Sequence, residues 1–276
     1  MEYTYFTDLV PTMSINRIYT AFVRSYDAAF RFQGESHDMW EVGYVIEGRA
    51  GITSGNEVYD CGKGDLVIHP AGVFHNVWAM RGEGMRIMTL SFTGARLENR
   101  VPAGKFALTA TEMTLMELLE QELQSRAEGA ESAAGSFHRE TGHIVKNLLE
   151  ILCLSLYRRR GESAAPAEGH RAALFSEVVT YMQENTDNAL GIGDICAACG
   201  VGQTVLKELF RTYTGMGVIK YYNHLRVRRA VALISEGHSM AQIAEIMHFS
   251  SQNYFSAFFR RETGISPGRY RRDEEK

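Results

Sequence analysis

Two segments of the sequence carry side chains that can hydrogen-bond to nucleic acid, at similar spacing. The first segment contains Gln203, Thr204, Lys207 and Arg211, and the second contains Ser251, Gln252, Asn253, Ser256 and Arg260. Amide and hydroxyl side chains can pair with base edges, whereas Lys and Arg can contact a base or a phosphate. The polar residues alternate with apolar ones at helical spacing, which predicts two amphipathic helices with an outward polar face.

The apolar positions of the two segments recur at a constant interval. Each residue of the second set stands 49 positions after its counterpart in the first; the pairs include Leu206 and Phe255, Phe210 and Phe259, Gly215 and Gly264, and Tyr221 and Tyr270. A short helix and a tight turn precede each segment: Gly200 permits the first turn, and Ser239 with Gln242 forms a capping box before the second. The pattern predicts two helix-turn-helix units joined by a helix over 218–235, on which Arg229 is a further candidate DNA contact.

A signature in the second unit carries a family resemblance. It consists of Ile243-Ala-Glu, Phe249-Ser, Gln252-Asn-Tyr-Phe, Phe258-Phe-Arg-Arg and Gly264-Ile-Ser-Pro. Residues 175–272 thereby resemble the DNA-binding domain of the AraC/XylS family of transcription regulators. The resemblance implies two recognition helices in adjacent major grooves, roughly 34 Å apart. The chain departs from the family at Ala257, where Arg is usual, and at Gly202, where Ser is common.

The charge is unevenly distributed between the two halves. Residues 171–276 contain 13 Lys and Arg against 11 Asp and Glu, and residues 1–170 contain 16 against 22. A weakly basic DNA-binding half predicts modest affinity for each copy, which dimerisation and base contacts would raise.

The N-terminal half alternates between apolar and polar residues with period two from Ile18 to Phe92, and glycines interrupt it at regular intervals. This pattern predicts a small antiparallel barrel or sandwich. After Pro102 the period becomes helical, and two amphipathic helices are expected. Their apolar stripes are Met113, Met116, Leu119 and Leu123, then Ile144, Leu148, Ile151 or Leu152, and Leu156. These helices either cover the barrel or pair with a second copy of the chain.

The predicted fold class is α+β with two domains. Residues 1–160 form a cupin-like ligand-sensing and dimerisation domain, 161–170 a linker that contains Pro166, and 171–276 an all-α domain with the two helix-turn-helix units. Residues 1–17 are interpreted as an arm. Its Tyr3, Tyr5 and Phe6 either close over a ligand, as the resemblance implies, or belong to a disordered end.

Two stretches of the N-terminal half resemble the two cupin motifs: Glu35-Ser-His37-Asp-Met-Trp-Glu41, and Gly64 to His75. In cupin enzymes two histidines and a glutamate of the first motif and one histidine of the second hold a metal ion; here His37, Glu41 and His75 stand at three of those positions, and Glu35 replaces the other histidine. The resemblance makes Glu35, His37, Glu41 and His75 candidate ligands for Fe, Mn, Ni or Zn. Without metal, the same residues can fix a hydroxylated ligand, with Trp40, Tyr44 or Trp78 stacked on its apolar face. The metal-free pocket is the preferred interpretation, and no cofactor is assigned.

The cysteines indicate no disulfide framework. Four cysteines in 276 residues favour a reducing, cytoplasmic setting. Cys196-Ala-Ala-Cys199 has the spacing of a redox or zinc motif, but it falls inside a predicted helix and no second Cys or His pair follows. The sequence shows neither a signal peptide nor an apolar run of the roughly 18 residues that a membrane span needs.

The sequence therefore predicts a ligand-responsive DNA-binding transcription regulator rather than an enzyme. Its expected partners are a double-stranded operator, a small-molecule effector such as a sugar, a second copy of the chain, and RNA polymerase. Two alternatives remain open: a metal-dependent cupin enzyme, and a ligand-independent regulator whose barrel only dimerises.

Overall fold

The computed structural model describes residues 11–129, 139–162 and 169–274. The chain divides into two compact units, one within 1–54 and 59–167 and the other within 55–58 and 168–276. Strands and two helices form the first unit, and helices dominate the second, so the predicted two-domain α+β class is confirmed. Residues 1–10 of the predicted arm, with Tyr3, Tyr5 and Phe6, and 163–168 of the predicted linker lie outside the described residues.

Seven strands build the sheet of the first unit. They are β1 (Ser14–Tyr26), β2 (Trp40–Ser54), β3 (Glu57–Gly62), β4 (Asp65–His69), β5 (His75–Ala79), β6 (Met85–Ala95) and β7 (Gly104–Ala107). The order is β1-β6-β2-β4-β7, and β3 and β5 both pair with β2. The pairs β1–β6, β2–β6, β2–β4, β2–β5 and β4–β7 are antiparallel. The antiparallel sheet predicted from the period-two pattern is thus present; the likeness to cupins stays a prediction.

Strand β2 is long enough to pair differently along its two halves. Its first half pairs with β4 and places Glu41 opposite His69, and its second half pairs with β5 and places Ser54 opposite His75. The backbones of Glu35 and His75 exchange two hydrogen bonds of 2.9 Å each. One carboxylate-bearing strand is therefore flanked by histidines from two neighbouring strands.

The two faces of β2 are both covered, and alternation along the strand separates them. Trp40, Val42, Tyr44 and Ile46 pack in a hydrophobic cluster with the two helices of this unit. Val45 packs in a second cluster with residues of β3, β4 and β6. Glu41 shares the parity of Val45, so its side chain leaves the strand on the face away from the helices.

Those helices are α1 (Ala110–Gly129) and α2 (Arg139–Arg158), and a 3-10 turn over 160–162 follows. The predicted stripes are only partly correct. In α1, Met116, Leu119 and Leu123 are buried, whereas Met113 is 36% exposed. In α2 the buried residues are Val145, Leu149, Leu152, Cys153 and Leu156, and Ile144 and Ile151 are exposed. Apolar residues occur on two sides of α2, so periodicity alone did not decide which side faces the sheet.

Helices α3 to α9 build the second unit. They are α3 (His170–Glu184), α4 (Ile192–Cys199), α5 (Gln203–Thr214), α6 (Val218–Ser235), α7 (Met240–Ile246), α8 (Gln252–Thr263) and α9 (Pro267–Glu274). Pairs α4–α5 and α7–α8 are the two predicted helix-turn-helix units, and α6 connects them. Each recognition helix ends at a glycine in the left-handed region, Gly215 (φ 67°) and Gly264 (φ 82°), a conformation that glycine adopts without steric penalty. Among the described residues no helix is both long and apolar enough to cross a bilayer.

Candidate functional site

The first unit contains a cavity on the face of β2 that bears Glu41. The unfilled space at this site is about 390 Å³, and part of it is open to solvent. Its polar lining comes from Glu41, His69, His75, Asn76 and Thr89, and its apolar walls come from Phe32, Tyr44, Val45, Ile52, Val77 and Ile87. A space with polar groups beside apolar walls suits a small molecule that has both kinds of surface.

Glu41 lies at the centre of the polar lining. Its two carboxylate oxygens are 3.4 Å from His37 Nε2 and 3.3 Å from His75 Nε2. Glu35 Oε1 lies 4.0 Å from His37 Nε2. One ligand-type atom from each of Glu35, His37, Glu41 and His75 falls within 4.8 Å of the others. The four side chains proposed from the sequence are thus brought together.

The tautomer of His75 follows from its backbone contact. Its Nδ1 lies 3.0 Å from the carbonyl oxygen of Val73, which can only accept, so Nδ1 carries the hydrogen. In a neutral ring Nε2 is then an acceptor that faces the Glu41 carboxylate, and no hydrogen bond forms between them. A hydrogen-bond donor of a ligand, or a metal ion, placed between these two acceptors would satisfy both of them.

Charge in this cluster is unevenly distributed. Burial opposes ionisation of Glu41, but His37 and His75 outweigh it and lower the pKa of Glu41 to about 2. The same contact with Glu41 raises the pKa of His37. Burial, and then the neighbouring His75, lower the pKa of His69 to about 3. At neutral pH the cavity therefore presents a carboxylate beside an uncharged His69.

Of the three aromatic residues proposed as ligand platforms, Tyr44 lines the cavity, and Trp40 and Trp78 do not. Trp40 is in the helix-facing cluster, and Tyr44 belongs to that cluster although it also borders the cavity. Trp78 is 7% exposed and packs beneath Arg31, whose Cζ atom lies 5.2 Å from the ring centroid. Both faces of β2 are apolar, so the alternation did not reveal which one lines a cavity. Phe32 is the aromatic side chain that the sequence reasoning missed.

His69 and Asn76 were also missed as lining residues. The ring of His69 stacks on that of His75 with centroids 4.6 Å apart and an interplanar angle of 18°. Its Nδ1 and the Asn76 Oδ1 are buried, and neither has a hydrogen-bond partner within residues 11–129, 139–162 and 169–274. A signal was available in the sequence, since His69 ends the strand that pairs with Glu41 and Asn76 follows His75 directly. These two atoms are available to hydrogen-bond a molecule bound in the cavity.

The second candidate site is the outer surface of α5 and α8. On α5, Gln203, Thr204, Lys207 and Arg211 are exposed; on α8, Gln252, Asn253 and Arg260 are exposed and Ser256 is half-buried. The inward positions are Leu206, Leu209 and Phe210, and Phe255, Phe258 and Phe259, all of them buried. The predicted partition between inward and outward residues is thus found in both helices.

The two recognition helices begin differently. The Ser251 side chain accepts a hydrogen bond of 3.2 Å from the Tyr254 amide and caps α8. Gly202 stands at the corresponding position of α5 and offers no side-chain cap. Ser251 therefore has a structural role as well as its proposed DNA contact.

Residues 185–188, between α3 and α4, are hydrogen-bonded to the connecting helix α6. The Tyr222 hydroxyl on α6 lies 2.6 Å from the Asn185 carbonyl oxygen and 2.7 Å from that of Asn188. Arg226, also on α6, donates to the carbonyl oxygens of Thr186 (3.1 Å) and Met247 (3.0 Å). The segment is thus bonded to the connecting helix and, through Arg226, to the turn of the second unit.

Arg229, proposed as a DNA contact, is engaged by the same segment. Its Nε lies 3.0 Å from Asp187 Oδ1, and both side chains are about one third exposed. A guanidinium held this way supports residues 185–188. Arg229 therefore differs from Arg211 and Arg260, which are exposed on the recognition helices.

Comparison with known proteins follows the two units. Residues 18–177 match the family described as the AraC-like ligand binding domain, and 195–273 match a helix-turn-helix domain. The chain is 31% identical over 125 residues to the HTH-type transcriptional activator RhaR of Klebsiella pneumoniae. The aligned region covers 45% of this chain and 44% of that protein. The chain spans about half the length of the curated relatives it matches.

Solved structures are also similar. One is an AraC-type DNA-binding domain-containing regulator from Chromobacterium violaceum, with 32% identity, 38% of this chain and 94% of that chain covered, and a TM-score of 0.35. Another is ToxT from Vibrio cholerae, with 12% identity, 94% and 98% coverage, and a TM-score of 0.37. The first family match covers more than half of the sequence and takes in the cavity. The chain belongs to the AraC family, with an AraC-like ligand binding domain followed by a helix-turn-helix domain.

Proposed function

We propose that this chain is a ligand-responsive, sequence-specific DNA-binding regulator of transcription. The observation that carries the proposal is the repeat. Two 12-residue helices, α5 and α8, stand 49 residues apart, and each directs Gln, Lys or Arg side chains to solvent while its apolar side is buried. One chain thereby offers two surfaces that suit successive major-groove segments.

We assign the cavity of the first unit to the effector, which we propose is a small hydroxylated metabolite of the sugar class. The Glu41 carboxylate and the His75 and Asn76 side chains supply hydrogen-bonding groups in its lining. Ile52, Val77 and Ile87 supply apolar contact. A sugar ring has hydroxyls at its rim and C–H groups on its faces, so both parts of the lining would be used.

The exposed apolar residues of α1 and α2 support a homodimer. Leu118 and Ile144 are each 42% exposed, and Ile151 is 52% exposed. A second copy of the chain that packed on Ile144 and Ile151, two turns apart on α2, would remove both side chains from water. A contact with RNA polymerase stays a prediction.

DNA selection tests the main proposal. Full-length protein is incubated with a randomised duplex pool, and bound sequences are amplified and sequenced. We expect enrichment of a site with two elements about one helical turn apart. A parallel thermal-shift screen against sugars and small acids should give stabilisation that grows as RT ln(1 + [L]/Kd). Failure to enrich any sequence would contradict the proposal.

A metal-dependent version of the first unit is the second candidate. It is favoured by the His75 Nε2 atom, which faces a carboxylate without a hydrogen bond. Glu35, His37, Glu41 and His75 would hold the ion, which would supply a Lewis acid for an oxygen-bearing ligand. Elemental analysis of purified protein tests this version. Stoichiometric metal together with no DNA enrichment would favour a cupin enzyme over the regulator.

A further inference from the structure

Two large apolar side chains are exposed at the same position of the two recognition helices. Val205 is 39% exposed and Tyr254 is 62% exposed. They are separated by 49 residues, and each is the third residue of its helix, since α5 begins at Gln203 and α8 at Gln252. Within the described part of the second unit, 169–274, they are the large hydrophobic residues that remain exposed.

Packing within the unit does not explain these two residues. The cores of the two repeats are already filled by Leu206, Leu209 and Phe210 and by Phe255, Phe258 and Phe259. Single exposed apolar residues are common on protein surfaces and need no explanation. Here, however, the exposed apolar residue occurs at the same position in both copies of the 49-residue repeat. Valine and tyrosine are also weaker helix formers than Lys, Glu or Gln, so neither residue favours the exposed helix position it occupies.

The sequence neighbours of both residues are polar. Gln203, Thr204, Lys207 and Glu208 flank Val205, and Gln252 and Asn253 precede Tyr254, all of them exposed. Both residues lie in the first turn of their helices, the part that reaches base edges in helix-turn-helix proteins. The ring centroid of Tyr254 lies 6.1 Å from that of Phe249. Each helix thus presents one apolar group among hydrogen-bonding ones.

The major groove contains one apolar group that matches this chemistry, the 5-methyl group of thymine. We propose that Val205 and Tyr254 each contact a thymine methyl, one in each half of the DNA site, and so add an apolar contribution to sequence specificity. The proposal rests on the DNA-binding function proposed above. The polar residues beside them hydrogen-bond to bases or phosphates, but they do not distinguish thymine from uracil in the major groove.

Replacement of thymine by uracil tests the proposal with a single change. The probe is the duplex enriched from the randomised pool, in which each thymine is replaced in turn by deoxyuridine. Fluorescence anisotropy with full-length protein gives Kd for each duplex. Loss of one methyl contact should weaken binding about fourfold, the value expected for one buried methyl-sized group. We expect this loss at one thymine in each half-site.

Protein variants assign each methyl to its side chain. Val205→Ala should bind the thymine and uracil duplexes equally in one half-site, and Tyr254→Ala should do so in the other. Tyr254→Phe keeps the ring, so it should retain the discrimination. Gln183→Ala, an exposed change on α3 that alters no charge, is the control and should leave both affinities unchanged. Circular dichroism confirms that each variant is folded.

The outcomes separate the two proposals. If no sequence is enriched, the DNA-binding function itself fails. If a sequence is enriched but no deoxyuridine substitution weakens wild-type binding, the methyl contact is wrong while the function stands. If the alanine variants leave thymine discrimination intact but change the oligomeric state in sedimentation, the two residues bind protein rather than DNA, and the inference is overturned.

Discussion

The guanidinium of Arg226 lies over the ring of Phe249, with Cζ 4.4 Å from the ring centroid, and its Nη2 donates to the Met247 carbonyl oxygen. Arg226 is 5% exposed, and its Nε donates to Thr186, which precedes the first helix-turn-helix unit. One side chain on the connecting helix therefore holds the turn of the second unit and the entry to the first. A cation in contact with an aromatic face and two carbonyls is satisfied without a carboxylate partner.

Arg226→Met should destabilise the second unit by about 3 kcal/mol, because two carbonyl oxygens lose their buried donors. Arg226→Lys should recover only part of this loss, since an ammonium lacks the planar fork that reaches both carbonyls. Urea unfolding followed by circular dichroism measures the change. Arg272→Met, an exposed position on α9, should differ from wild type by less than about 0.5 kcal/mol. Equal effects at the two positions would refute the role of Arg226.

His248 lies in the turn of the second unit with φ 53°, in the left-handed region, and its Nδ1 lies 3.0 Å from Asn188 Oδ1. His248→Gly relieves the backbone strain and loses the contact, so we expect stability within about 0.5 kcal/mol of wild type. His248→Ala loses the contact and keeps the strain, and it should be about 1 kcal/mol less stable than the glycine variant. Thermal unfolding of the wild type and the two variants gives the order of their stabilities. An alanine variant as stable as the glycine variant would show that the turn is unstrained.

Glu112 gives the first unit an acid-sensitive contact. Its side chain is buried, and Thr109, Arg159 and Ser155 donate hydrogen bonds to it. Burial opposes its ionisation, but the hydrogen bonds from Thr109 and Arg159 outweigh this and lower the pKa of Glu112. Its contribution is therefore complete above the unfolded value of about 4.3 and is lost as pH falls through the lower folded pKa.

Glu112→Gln should lower stability at pH 7 by about 3 kcal/mol, since Arg159 loses its carboxylate partner. It should also flatten the fall in stability below about pH 4. Unfolding midpoints measured at intervals from about pH 2.5 to about pH 7, a range that includes the ordinary pKa of a carboxyl group, report both effects. Glu117→Gln, an exposed change on the same helix, is the matched control. If the stability of the Glu112→Gln variant fell at low pH as steeply as that of the wild type, Glu112 would not be the acid-sensitive group.

Glu41→Gln should weaken effector binding between about 10-fold and 100-fold, because a charged hydrogen-bond acceptor becomes a neutral one. The measurement is the thermal shift caused by whichever sugar stabilises the wild-type protein in the screen. Glu47→Gln changes the same residue type on the same strand, but Glu47 is exposed and outside the cavity, so its shift should match the wild type. If the two variants respond alike, the cavity is not the effector site.

Gln252→Ala and Arg260→Ala should separate base recognition from phosphate contact. The amide can pair with a base edge, so its loss should reduce the difference in affinity between the selected duplex and its point variants. Loss of the Arg260 contact to phosphate should weaken binding to all sequences alike and reduce the salt slope by about 1. Titrations at several salt concentrations test both. A Gln252→Ala protein with unchanged affinity and unchanged preference would show that α8 does not read bases.

The sequence predicted the second unit better than the first for a physical reason. Each recognition helix has one buried side and one exposed side, so Phe255 and Gln252 are told apart by helical periodicity alone. In the first unit, β2 is covered on both faces, and alternation separates Trp40 from Glu41 without showing which of them faces a cavity. Polar residues were the better guide: His37, Glu41 and His75 do meet.

The bonds that Tyr222 and Arg226 make to residues 185–188 have a consequence for how regulatory DNA can change over time. A connection of this kind fixes the distance between α5 and α8 in the protein rather than leaving it to the DNA. Insertion of one base pair between half-sites rotates one of them by roughly 34° to 36° about the DNA axis. A protein with a flexible connection between its two units would tolerate this rotation, and we expect that this protein would not. Promoters controlled by such a protein should therefore accumulate base substitutions in their binding sites while the spacing between half-sites stays constant.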